Sequence, residues 1–164
     1  MSARELLRAN DLRFLALAST LTPAEWAAPS LCDEWTNHDV LAHLVVGYRV
    51  RLATFVAGIA RRGGSFDGAN TELARALAAT RSPGDLLDDF AHLVDHPRGM
   101  GRYFPRSLLL GDHVTHELDI VLALDRVPDV SADALVAVLK TQVSLPNPFV
   151  PAYRNSRGLR LTAT

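Results

Sequence analysis

The chain has 164 residues, 48% of them hydrophobic and 21% charged, the size and balance of one globular domain with a real core. Its formal net charge is −1, so bulk electrostatics offers no case for nucleic acid or an anionic membrane surface as a partner. Cys32 is the only cysteine, which excludes an internal disulfide.

In chain order, the apolar positions Leu6, Leu7, Phe14 and Leu15 predict a first helix over about 3–20. Thr22 followed by Pro23 opens a short helical turn, because proline suits the first helical position. Pro29 to Trp35 reads as a loop. Thr36 then caps a long helix, with Asp39 completing a capping box. That helix is expected to run to Arg61-Arg62, ahead of Gly63-Gly64. Asn70 is expected to cap a helix through Ala79, and Ser82-Pro83 to start another that ends near His96. Pro97 to Gly101 is a breaker, and the next helix spans about 105–125, stopped by Pro128. Ser131 caps a last helix to about Val143. Pro146, Pro148 and Pro151 predict an extended tail, and Gly158 to Thr164 a strand. The fold class is therefore all-α, a four-helix bundle with short extra helices (residues 1–145) and an extended C-terminal tail (146–164).

The N-terminal segment MSARELLRAND lacks the apolar core of a secretory signal, and the most apolar stretch is interrupted by Arg49 and Arg51. These features read as a cytoplasmic protein without a membrane span.

His43 lies on the helix opened by Thr36, while Asp112 and His116 lie one turn apart on the 105–125 helix. Residues four apart stack on one helix face, so Asp112 and His116 can grip one ion that His43 reaches from a facing helix. Such an N, N, O set leaves open positions, the mark of a catalytic rather than a structural metal site. Other readings are open on spacing alone. His43 could be a core histidine bonded to Asp39, and Asp112 could pair with Arg102 or Arg106. His113 and Glu117, also four apart, form a rival ligand pair whose default place is the helix flank. Asp119, three residues after His116, could accept its second ring N–H or anchor another helix. Cys32 reads as a packing residue, Trp26 and Trp35 as core or loop anchors, His38 as exposed, and His92 and His96 as surface decoration. Gly47, one turn beyond His43, leaves a hollow that suits a pocket.

The segment PSLCDEWTNHDVLAHLVVGYR resembles the helix entry of the DinB-like, mycothiol-dependent maleylpyruvate isomerase family, through Trp26, Pro29, Ser30, Cys32, Trp35, Thr36, Asp39, His43 and Leu44. HELDIVLAL resembles that family's second signature, a His followed by Asp and an apolar run. The resemblance implies a DinB-like bundle with His43, Asp112 and His116 as metal ligands. The chain departs from the isomerase branch in having Asp112 where Glu is usual, so that helix must sit closer or the ion must shift. Zinc is the first candidate, with nickel, manganese or iron as alternatives. Family members often continue past a strand like RGLRLTAT into an α/β extension, so residues 146–164 read as the start of a C-terminal region missing here. Lys140 is the only lysine and Ala is abundant, the bias of a GC-rich genome, which fits an actinobacterial source where mycothiol is the usual small thiol.

Three functions follow as alternatives. The first is an enzyme in which mycothiol or a similar thiol attacks a small electrophile, giving isomerisation or S-transfer. Its partners are a small-molecule thiol and an electrophilic substrate, with no nucleic acid or membrane, and a homodimer is compatible with the chain. The second is a non-catalytic metal-binding bundle with an accessory or stress role. The third is a bundle whose site has decayed and whose polar residues merely pair.

Overall fold

The computed structural model describes residues 1–146, 151–160 and 162. Among these residues the secondary structure is helical apart from an isolated bridge between Pro29 and Thr36. The helices are α1 (Ala3–Ala18), α2 (Pro23–Ala27), α3 (Asn37–Arg49), α4 (Leu52–Arg61), α5 (Phe66–Ala78), α6 (Pro83–Asp95), α7 (Arg106–Ala123), α8 (Ala132–Ser144) and α9 (Ala152–Ser156), with a 3-10 turn at Gly99–Arg102. No helix among the described residues is long and apolar enough to cross a membrane.

The starts of these helices are local chemistry. Ser2 with Glu5, Thr22 with Glu25, Thr36 with Asp39, and Ser82 with Asp85 each form a reciprocal capping box. Each satisfies amide donors that the helix leaves orphaned, and loss of such a cap costs about 1 kcal/mol.

Packing then makes the bundle. α1 and α3 each contact both α6 and α7, which closes a four-helix ring, while α5 covers α3 and α8 covers α7. Phe14, Leu41, Leu44, Phe90, Leu110 and Ile120 fill the interior and are almost entirely buried. Phe14 meets Phe90 edge-on, with ring centroids 5.9 Å apart. Burying side chains of this size stabilises by about 1.5–3 kcal/mol each.

A polar knot sits inside this apolar ring. Asp11 of α1 is fully buried and accepts hydrogen bonds from the Tyr48 hydroxyl of α3 and, at 2.7 Å, from His113 Nδ1 of α7. Burial together with the Asp11 carboxylate pushes the Tyr48 hydroxyl far above its usual range. Burial disfavours charge on His113, yet the carboxylate of Asp11 outweighs it and raises the imidazole pKa. Beside it, Arg13 bridges Asn10 and the buried Glu117. Burial, the largest effect on Glu117, raises its carboxyl pKa despite the guanidinium.

Three expectations are corrected. The helix expected from Thr36 to Arg61 is broken at Val50, whose φ of −61° and ψ of 136° are extended. The carbonyls of Tyr48 and Val50 accept instead from the amides of Arg98 (2.9 Å) and Met100 (2.8 Å). This close approach requires glycine: a Cβ on Gly101 would lie 2.5 Å from the Tyr48 carbonyl oxygen, and Gly99 has a φ of +49°. Second, the helix expected to begin at Asn70 begins at Phe66 under a Ser65 cap, so Asn70 lies inside α5. Third, the strand expected over 158–164 is not formed by Gly158 to Arg160, and Leu161, Ala163 and Thr164 lie outside the described residues. The tail is not uniformly extended either, since α9 occupies Ala152–Ser156. Pro148 lies outside the described residues.

Replacing Gly101 by Ala should destabilise the protein by about 1–3 kcal/mol, because backbone rather than a flexible side chain must yield. Gly84→Ala, where the added Cβ meets only ordinary contact, should be neutral or stabilising by about 0.4–1 kcal/mol. Urea unfolding of the two variants reads the difference. Tyr48→Phe keeps the ring but removes a donor from buried Asp11, and should cost about 1–3 kcal/mol in the same measurement.

Candidate metal centre and adjoining cavity

α3 and α7 face each other, and their opposed side chains His43, Asp112 and His116 converge. One ligand atom from each lies within 4.8 Å of the other two. His43 Nε2 stands 3.5 Å from Asp112 Oδ1 and 3.4 Å from Oδ2, and His116 Nε2 stands 3.6 Å from Oδ1. The two imidazoles meet edge to face with centroids 4.5 Å apart. His43 is buried, whereas Asp112 keeps 37% of its side-chain exposure and so faces the opening.

The far nitrogens of both rings are held. His43 Nδ1 lies 3.0 Å from Asn70 Oδ1, and His116 Nδ1 lies 3.0 Å from Asp119 Oδ2. An oxygen acceptor at each Nδ1 places the ring proton there and leaves the Nε2 lone pair toward Asp112. Two lone pairs and a carboxylate thus point at one region, with no hydrogen-bond donor of their own to share. The contacts of 3.4–3.6 Å are too long for good hydrogen bonds. They match ligand-to-ligand separations of about 3.3–3.6 Å around a tetrahedral ion with bonds of about 2.0–2.2 Å.

Several expectations made from spacing change here. Asp39 is committed to capping, through contacts of 2.7 Å and 3.0 Å to Thr36, so the partner of His43 is Asn70 rather than Asp39. Asn70, a family-like position that reads from the sequence as a cap, is instead a site residue, because its role needs α5 to lie against α3, a contact that helix periodicity does not encode. Asp112 pairs with neither Arg102 nor Arg106, the latter donating to the Gly101 carbonyl. His113 and Glu117 are not on a flank. They are fully buried against α1 and spoken for by Asp11 and Arg13. His38 is half-buried rather than exposed. Asp119 does take the second nitrogen of His116.

The loop before α3 closes one side. Trp35 is buried and stacks on His116 with centroids 6.0 Å apart and planes 22° apart, and its ring lies 5.3 Å from His43. Arg75 of α5 clasps the loop at the Glu34 carbonyl, where Glu34 adopts a φ of +64°. Cys32, with His116 and Asp119, forms a second convergent group. Burial raises the Cys32 thiol pKa, and the carboxylates of Asp119 and Asp33 raise it further. A thiol in that field is a poor nucleophile, which fits packing rather than reactivity.

Beside the three side chains opens a cavity of 760 Å³. This lies in the range of small-molecule sites, roughly 300–1,000 Å³. Gly47 contributes to it as expected: a Cβ there would meet nothing within 4 Å.

The family model described as the mycothiol maleylpyruvate isomerase N-terminal domain matches residues 7–106. The chain belongs to that family. The match takes in most of α1 and all of α2 to α6, with His43 and Asn70, and ends at the first residue of α7, so Asp112 and His116 lie beyond it. No curated protein and no solved structure matches the chain.

Gly47→Ala should stabilise α3 by about 0.5–1 kcal/mol, because an interior helix glycine is replaced without a clash. Thermal melting of the metal-free protein should record a gain of a few degrees, about 2–4 °C per kcal/mol. A loss of stability would mean that the hollow above His43 is filled.

Proposed function

We propose that His43, Asp112 and His116 bind one divalent metal ion, with zinc the first candidate, and that the chain is a thiol-dependent enzyme acting on a small electrophile. The observation that carries the reading is the convergence of two imidazole lone pairs and a carboxylate with no donor of their own among them. Like-featured acceptors brought this close repel unless a cation lies between them. The donor set also fits: two neutral imidazoles and a carboxylate are ordinary zinc ligands, and three of them leave a position open. The shorter Asp112, in place of the family's usual Glu, reaches both histidines from its own helix.

A divalent ion in this place supplies Lewis acidity and favours the thiolate form of a bound thiol at neutral pH. The chain's own residues do the rest. Asn70 and Asp119 hold the imidazoles in one tautomer and one orientation. Trp35 shields the site from water on the loop side. The cavity holds the thiol and the electrophile together, so that their reaction is effectively unimolecular. Addition, rotation and elimination of the thiol give cis–trans isomerisation, whereas displacement gives S-transfer. Mycothiol is the thiol that the family's description supports, and a cytoplasmic, reducing compartment is where such a thiol is kept reduced. The 760 Å³ cavity favours this enzyme over a non-catalytic metal-binding bundle, which has no need of one.

Metal linkage tests the reading. Zinc at about a hundred times its Kd should stabilise chelator-treated protein by ~2.7 kcal/mol, which corresponds to roughly 5–10 °C in Tm. His43→Ala should abolish most of that rise. Asn70→Ala should weaken zinc by about 10–100-fold through loss of ring orientation. His92→Ala, on the exposed face of α6, should change nothing. An equal rise in the wild type and His43→Ala would place the ion elsewhere.

A further inference from the structure

The cavity wall is strongly one-sided in chemistry. Phe55, Phe66, Met100, Phe104, Leu108 and Leu145 form its apolar lining. No Lys or Arg is among the described lining residues, while three carboxylates are, those of Asp33, Asp67 and Asp112. Two basic side chains of neighbouring elements are engaged: Arg75 with Glu34, and Arg106 with backbone carbonyls. Sites that bind carboxylates ordinarily present Arg in a bidentate fork, and the described residues of this wall offer none. Gln142 of α8 is among the lining residues, and its Oε1, closed to solvent, has no hydrogen-bond partner among the described residues. Gly111 makes room for it, since a Cβ there would stand 3.1 Å from Gln142 Nε2.

We propose that this cavity takes an uncharged, largely apolar small molecule of about aromatic size, and not a dicarboxylate such as the maleylpyruvate of the family's description. The inference rests on the proposed site for the position of the reacting end, while the wall's selectivity stands on the lining alone. Charge balance points the same way. A divalent ion with Asp112 leaves one net positive charge, enough for a single thiolate. Two further carboxylates would then lie against apolar carbon, or beside the exposed Asp33 and Asp67, whose like charge repels them.

Two thiols serve as probes, benzyl mercaptan and mercaptosuccinate. Each carries one sulfur, and they differ in having an apolar ring or two carboxylates. They are titrated calorimetrically into chelator-treated protein and into protein loaded with one equivalent of zinc and desalted. Benzyl mercaptan should bind about tenfold or more tightly than mercaptosuccinate in both forms, a difference of ~1.4 kcal/mol or more. Leu108→Arg places a cation in the half-buried wall one turn before Asp112, and should narrow or invert the ratio. Equal or tighter binding of mercaptosuccinate, binding of neither probe, or an unchanged ratio in Leu108→Arg overturns the proposal. If benzyl mercaptan is preferred but zinc alters neither affinity, the wall's selectivity is upheld and the metal reading alone fails.

Discussion

The buried carboxylate of Asp11 is the contact on which the rest of the bundle turns. It joins α1 to α3 through the Tyr48 hydroxyl and α1 to α7 through His113. An apolar interface between helices tolerates rotation and sliding, because one aliphatic contact replaces another at small cost. A buried carboxylate does not, because losing either hydrogen-bond partner costs about 1–3 kcal/mol. Asp11 therefore sets the rotation of α3 and α7 as well as their separation.

That rotation matters because α7 carries two polar pairs. His113 and Glu117 are centred about 100° around the helix from Asp112 and His116. With the first pair anchored on α1, the second is turned toward His43. Both pairs have the same spacing, and the same chemistry of imidazole and carboxylate. What distinguishes them is their surroundings: one pair is joined to Asp11 and Arg13 inside the protein, and the other has acceptors facing acceptors. Burial makes the first pair structural, and partial exposure beside a cavity leaves the second available to a ligand.

The break after Tyr48 has a similar logic. Nothing in Val50-Arg51 alone stops a helix, and the apolar pattern continues through it. The stop comes from residues 98–101, whose amides take the carbonyls of Tyr48 and Val50 and whose glycines permit the approach. α4 then leaves the line of α3 and packs on α5, and Val50, Phe55 and Met100 line the cavity between them. The same displacement brings α5 against α3, where Asn70 meets His43. One tertiary contact thus accounts both for the helix boundary that was misplaced and for the site residue that was missed.

Much was legible from the chain alone, wherever the physics is local. Capping boxes at Thr36 and Ser82, prolines at first helical positions, and the 3.6-residue apolar repeat act within a turn or two, so they gave the four main helices and the all-α class. The four-residue spacing of Asp112 and His116 is likewise a property of one helix. The hollow at Gly47 could be read because a missing side chain is missing in any fold. Tertiary structure alone decided which of two equivalent pairs on α7 turns toward His43, where the helix opened by Thr36 ends, and that Asn70 and Asp119 hold the two imidazoles while Trp35 lies over them. It also decided the charge of the cavity wall, since which arginines stay outside it depends on partners far along the chain. Each of these depends on groups tens of residues apart meeting within a few ångströms, and helical periodicity carries no information about such meetings.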